Sequence, residues 1–221
     1  MLIIAHRGSS ATHRENSLPA FTAAVSAGAD GVELDVRRTA DDRLVVHHDP
    51  VLAGGTEIVR CQADDLPSEV PALHEALAAC APCVVNVEIK DLPGEVAFDP
   101  ERTTARLVTA ALSRPPVPVL VSSFDPGALG VVRGLDPELG LGLLAVSAEG
   151  LVERAVALGA RAIHPGDRSV DAALVERAHA AGLQVNVWTV NDPERLRELR
   201  AMGVDAAISD DPAAARAALA G

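Results

Sequence analysis

Gly31-Val32-Glu33-Leu34-Asp35-Val36 alternates aliphatic and acidic residues with a period of two. In an extended strand successive side chains point to opposite faces, so Val32, Leu34 and Val36 line one face and Glu33 and Asp35 the other. Outward from this stretch, short β-branched runs alternate with Ala/Leu/Glu/Arg segments of helical period along the whole chain, the pattern of repeated βα units feeding a parallel sheet. The runs predict strands over 2–6, 31–36, 84–90, 117–123, 140–146, 161–164, 184–190 and 206–209. Helices are predicted over 17–27, 72–80, 101–113, 149–157, 171–181, 193–201 and 212–220.

Local chemistry marks the ends of these elements. Asp192-Pro193 and Asp211-Pro212 each place a capping acceptor before a proline at the first helical position. Gly28, Gly159, Gly182 and Gly203 each stand just before a strand, where a left-handed helix end is needed. Eight units in succession, with no linker or low-complexity tract, fit a closed α/β (β/α)₈ TIM barrel forming a single domain over residues 1–221. Residues 44–71 break the alternation, and the expectation is that they cover one barrel mouth.

Inside a barrel both faces of every strand are buried, and the outer face must be apolar to receive the helices. Val32, Leu34 and Val36 therefore point outward, and Glu33 and Asp35 enter the barrel axis. Val85-Asn86-Val87-Glu88-Ile89-Lys90 repeats the arrangement and brings a third carboxylate, Glu88, to the same volume. Ionised carboxylates without compensation in a low-dielectric site cost several kcal/mol each or take up protons. Hard oxygen ligands on neighbouring strands suit Mg²⁺ or Ca²⁺ better than zinc, so Glu33, Asp35 and Glu88 are predicted to hold a divalent cation. The competing reading is a structural ion network in which Arg7, Arg37 or Arg38 clamps the acids.

Barrels place their chemistry at the carboxyl ends of their strands. His6 ends the first strand, and His47-His48-Asp49 follows the second, where alternation allows only one of the two histidines into the pocket. His6 and whichever of His47 and His48 faces inward could act as general acid and base. Three carboxylates, one divalent cation, Arg7, Lys90 and one phosphodiester anion sum to neutrality, which favours a phosphodiester over a dianionic monoester. The parity of Asn186 and Trp188 turns the indole inward, against substrate carbons or as core filling. Glu15 and Asn16 are expected to orient the first loop or to cap the helix that follows.

Composition narrows the partners. Nineteen Lys and Arg against 31 Asp and Glu leave a formal charge of −12, which repels phosphate polymers and anionic lipid surfaces. Three phenylalanines, one tryptophan and no tyrosine are too few for stacking platforms, so nucleic-acid binding is excluded. The apolar runs are strand-sized, which predicts no stable membrane anchoring and a cytoplasmic location. Cys61, Cys80 and Cys83 read as reduced thiols; the Cys80–Cys83 spacing lies after a helix and before a strand, the reverse of a thioredoxin context. The composition does not set an oligomeric state.

The segment from His6-Arg7-Gly8 through Arg14-Glu15-Asn16-Ser17, then Glu33-Leu34-Asp35-Val36, His48-Asp49-Pro50, Asn86-Val87-Glu88-Ile89-Lys90, Val187-Trp188-Thr189-Val190-Asn191 and Ser209-Asp210-Asp211-Pro212, resembles the glycerophosphodiester phosphodiesterases over nearly the whole chain. The resemblance implies a (β/α)₈ barrel that uses a divalent cation to hydrolyse a small-molecule glycerophosphodiester to sn-glycerol 3-phosphate and an alcohol, in lipid and glycerol metabolism. It matches Glu33, Asp35 and Glu88 to metal ligands, His6 and His48 to the acid/base pair, and Arg7 and Lys90 to phosphate contacts. In some relatives the histidine matching His48 is a metal ligand instead. Attack by the substrate's own hydroxyl through a cyclic phosphate and direct attack by water both remain open. Arg14 stands where the family has proline, Ser17 where it has threonine, and His47 where an aromatic or apolar residue is common. The short interval after Lys90 lacks the cap that many relatives insert there. Two alternatives stand beside this reading: a phospholipase D of the sphingomyelinase type, and a non-catalytic barrel that binds phosphate esters.

Overall fold

The computed structural model describes residues 1–220. Among them, eight parallel strands close into a barrel: β1 (Leu2–His6), β2 (Gly31–Arg38), β4 (Val84–Ile89), β5 (Val119–Ser123), β6 (Gly140–Ala145), β7 (Ala162–Pro165), β8 (Gln184–Val187) and β9 (Ala206–Ser209). Each strand pairs with its neighbour in order, and β1 closes the ring by pairing with both β9 and β2. The outer ring consists of α1 (Leu18–Ser26), α2 (Leu73–Ala79), α3 (Thr103–Ala111), α4 (Pro126–Leu135), α5 (Leu151–Ala157), α6 (Ala172–Ala180), α7 (Pro193–Ala201) and α8 (Pro212–Ala220). This is the (β/α)₈ barrel expected from the alternation.

The main core lies between the strands and this helical ring. Val32, Leu34, Val36, Val85, Val87 and Ile89 are all fully buried there, packed in one cluster with Phe21, Leu77 and Val108 of the surrounding helices. Burying such a side chain contributes about 1.5–3 kcal/mol relative to exposure, which holds the alternate, polar face of β2 and β4 toward the axis. Helix starts follow the expected chemistry: Asp192 accepts from the amides of Glu194 and Arg195, and Asp211 from that of Ala214. Gly28, Gly159, Gly182 and Gly203 all adopt the left-handed conformation, with φ of 76°, 62°, 76° and 88°.

Three features differ from the sequence reading. Residues 44–71 contain a ninth strand, β3 (Leu44–Val46), which pairs antiparallel with the carboxyl end of β2 through Val36–Val46 and Arg38–Leu44. Ile58 and Val70 bury against Val45 in a small core separate from the barrel's own. The sequence reading counts eight units but gives α4 no bounds of its own, and Gly127, Gly130 and Gly134 dilute its helical signal. Asp125 nonetheless caps it, accepting from the amides of Gly127 and Ala128. The predicted strand 184–190 ends at Val187, after which the chain turns so that Asp167 donates its amide to the Trp188 carbonyl. Among the described residues no helix is long and apolar enough to cross a membrane.

Candidate active site

Register on the two central strands sets the acidic group. Asp35 of β2 lies opposite Glu88 of β4, and Glu33 opposite Asn86. Glu33, Asp35 and Glu88 are 3%, 1% and 7% exposed, and one oxygen from each lies within 4.8 Å of the others. Burial, followed by repulsion from Asp35 and Glu88, drives the Glu33 carboxyl well above the usual carboxylate range. Burial and then Asp35 push Glu88 up to about 7, against the pull of Lys90.

Two cations face this cluster. Arg7 lies with Nε 3.1 Å from Asp35 Oδ2, while its backbone amide donates to Glu33 Oε2 at 3.0 Å. Lys90 Nζ is 3.1 Å from Glu88 Oε1 and 3.8 Å from Asp35 Oδ1. Arg37 and Arg38 do not join them: Arg37 pairs with Glu95, and Arg38 with Asp42 and Asp99. Three acids face two bases, and the buried oxygen Glu33 Oε1 has no hydrogen-bond partner, while Glu88 Oε1 faces only the Lys90 ammonium. An all-oxygen donor set with more acids than bases and one unpartnered buried oxygen fits a hard divalent cation. Asn16 reaches the cluster from the first loop, donating through Nδ2 to Asp35 Oδ2 at 2.7 Å and accepting the Asp35 amide at 3.2 Å. Glu15 accepts twice from Arg7 Nη1, both at 2.9 Å.

Both histidines border the same cavity, a space of about 240 Å³ whose lining also includes Arg7, Glu33, Glu88 and Lys90. Each imidazole is held by a carboxylate through Nδ1: His6 by Asp210 at 2.7 Å and His48 by Asp49 at 2.7 Å. Such a bond fixes the ring and leaves Nε2 as the atom free to exchange a proton. Asp210 also accepts from Asn191 Nδ2 at 2.6 Å and from Ser10 Oγ at 3.2 Å; the His6 bond, ahead of these others, holds its carboxyl down to about 2. Burial lowers the pKa of His48, outweighing the attraction of Asp35. His47 bonds the Asp49 carbonyl and stands outside the cavity lining.

The opposite wall is apolar, made by Phe124, Leu144, Trp188 and Ile208. Trp188 meets Phe124 edge-on at 5.5 Å and donates Nε1 to the His164 carbonyl at 2.7 Å. Lys90 Nζ lies 6.0 Å from the centre of the Phe124 ring. Below this wall His164 is fully buried, meets Asn186 Nδ2 at 3.0 Å, and is pushed down to about 4 by desolvation. Its ring fills the space that a side chain at Gly142 would need, since a Cβ there would stand 2.6 Å from Nε2.

The sequence reading did not single out Asp210 as the partner of His6, nor Asn191, Phe124 or the buried His164. Asp210 lies in a stretch noted only for its likeness to the family, and no periodicity connects positions 204 residues apart.

The model of the "Glycerophosphoryl diester phosphodiesterase family" matches residues 6–69 and 57–214 of the chain. The chain belongs to the glycerophosphoryl diester phosphodiesterase family. A glycerophosphodiester phosphodiesterase of Caldanaerobacter subterraneus subsp. tengcongensis is 34% identical, covering 96% of this chain and 94% of the relative. Among solved structures, an Oleispira antarctica phosphodiesterase in complex with the product sn-glycerol-3-phosphate superposes with a TM-score of 0.92 at 27% identity, covering 100% of this chain and 97% of the other. A glycerophosphodiester phosphodiesterase from Thermotoga maritima gives 0.83 at 28% identity, with 96% of each chain covered. As a glycerophosphodiester phosphodiesterase, this barrel is an enzyme of the phosphoric diester hydrolase class.

Proposed function

We propose that this enzyme cleaves small glycerophosphodiesters to sn-glycerol 3-phosphate and an alcohol, with His6 and His48 as the acid/base pair and a divalent cation, Mg²⁺ or Ca²⁺, held by Glu33, Asp35 and Glu88. The observation that carries the reading is that two carboxylate-anchored histidines border one cavity with Glu33, Glu88, Arg7 and Lys90, and that Asp35 lies beside those two acids. When bound, the cation supplies Lewis-acid polarisation of the phosphoryl oxygens and neutralises charge in the cavity. Arg7 and Lys90 contact the remaining phosphate oxygens and stabilise the charge that builds on them. One imidazole Nε2 takes the proton from the attacking hydroxyl, and the other returns a proton to the departing alkoxide. Neither histidine needs to move, because Asp210 and Asp49 fix their rings. Asn16 and Glu15 orient Asp35 and Arg7 from the first loop. Trp188 and Phe124 offer an apolar surface to the glycerol or head-group carbons.

The product bound in the Oleispira antarctica relative supports sn-glycerol 3-phosphate as the common half of the substrate. The test is an assay on glycerophosphocholine, glycerophosphoethanolamine and glycerophosphoglycerol after EDTA treatment and metal add-back, run beside Glu33→Ala. Turnover is expected to vanish in EDTA, return with Mg²⁺ or Ca²⁺, and fail to return in the variant. Full activity in metal-free protein would overturn the cation assignment.

A further inference from the structure

Arg37 lies beyond Asp35 on the same face of β2 and is 2% exposed, yet it touches none of the three clustered carboxylates. Its guanidinium makes five polar contacts. Nε donates to the His48 carbonyl at 2.7 Å, and Nη2 donates to that same oxygen. Nη1 donates to the Lys90 carbonyl at 3.0 Å and to Glu95 Oε2 at 2.9 Å, and Nη2 reaches Glu95 Oε1 at 3.3 Å. The five N–H groups of an arginine are therefore matched by five contacts, three of them to two backbone oxygens from different chain segments and two to the Glu95 carboxylate.

Those two segments carry His48 and Lys90, which both line the cavity. His48 sits in the connection after β3, and Lys90 directly follows β4. Resting on the reading above, we infer that Arg37 is a positioning residue for the reaction, clamping the backbone at His48 to the backbone at Lys90 so that proton transfer and phosphate binding meet at one phosphorus atom. A rigid planar fork spans both carbonyls and Glu95 at once. Lysine concentrates its donors on one nitrogen and cannot bridge the same set. A shift of about 1 Å in a reacting group costs on the order of 10²-fold in rate, so loosening this clamp acts on turnover without removing any group that touches the substrate.

The test compares wild type, Arg37→Lys, His48→Ala and the double variant on glycerophosphocholine at saturating Mg²⁺. Arg37→Lys is expected to keep its circular dichroism spectrum and its calorimetric affinity for Mg²⁺ alone, and to lose about 10²-fold in kcat. Once His48→Ala has removed the imidazole, the same substitution is expected to cost less than about tenfold, because part of its effect acts through that ring. A near wild-type kcat with a lowered Tm, or losses that multiply in the double variant, would overturn the positioning role. Should Arg37→Lys fail to fold, Glu95→Ala decides: it removes the two contacts that hold the guanidinium in register with the His48 and Lys90 carbonyls. That variant is expected to lose severalfold in kcat, and an unchanged kcat would refute the clamp. Wild-type turnover in His48→Ala alone would refute the histidine assignment, while the kcat of Arg37→Lys would still judge the clamp through Lys90.

Discussion

Replacing Glu88 by glutamine separates what the acidic cluster costs the fold from what it does for the cation. In the metal-free enzyme, burial and Asp35 raise the Glu88 carboxyl from its ordinary 4.5 to about 7. A folded-state pKa above the unfolded value means that the native state holds the proton more tightly. Stability therefore falls as pH rises from about 4.5 to about 7 and stays low above that. At about 1.4 kcal/mol per pH unit the loss is on the order of 3 kcal/mol, or about 6–12 °C in Tm for a domain of this size. Glu88→Gln cannot ionise, so in EDTA it is expected to melt higher than wild type at about pH 8 and close to wild type at about pH 5. Scanning calorimetry at both pH values, with EDTA and then with Mg²⁺, reads the result. Mg²⁺ at about 100-fold over its Kd adds about 2.7 kcal/mol to the wild type at pH 8 and is expected to add little to the variant. Equal melting shifts at the two pH values, or a variant less stable than wild type at pH 8, would refute the electrostatic account of the cluster.

His6→Ala and His48→Ala are expected to fold and to lose about 10²–10⁴-fold in kcat, measured by release of sn-glycerol 3-phosphate. Asp210→Asn preserves shape but removes the anion that holds His6 Nδ1, and is expected to reduce kcat by about 10–100-fold with little change in KM. Burial lowers the pKa of His48, so its NMR titration should have its midpoint below the ordinary 6.5 in metal-free protein. Gly142→Ala drives a methyl group into the His164 ring and is expected to destabilise the barrel by about 1–3 kcal/mol in thermal melts, with activity falling only as folded protein is lost.

What could be read from the chain follows the reach of each signal. Period two in β2 and β4 is local, and it placed Glu33, Asp35 and Glu88 on inward faces that the structure brings within ligand distance of one another. Capping aspartates and left-handed glycines are equally local, and Asp192, Asp211, Gly28 and Gly203 stand where their chemistry put them. The antiparallel β3 was hidden because three residues are too few to show a period. The bounds of α4 were hidden because its three glycines speak against a helix that the tertiary context imposes. Partners across the barrel carry no local mark. Arg37 is one more arginine after a strand until the His48 and Lys90 carbonyls converge on it. Asp210 is one of two consecutive aspartates, of which the second only caps a helix.

The ring closes where β1 meets β9, and the pair formed across that seam is His6 with Asp210. A nascent polypeptide can therefore stack six or seven strands with the His6 ring still unanchored, because its partner Asp210 directly follows the final strand. Cutting the gene between β5 and β6 should give two silent fragments whose reassociation restores turnover in proportion to the rings completed.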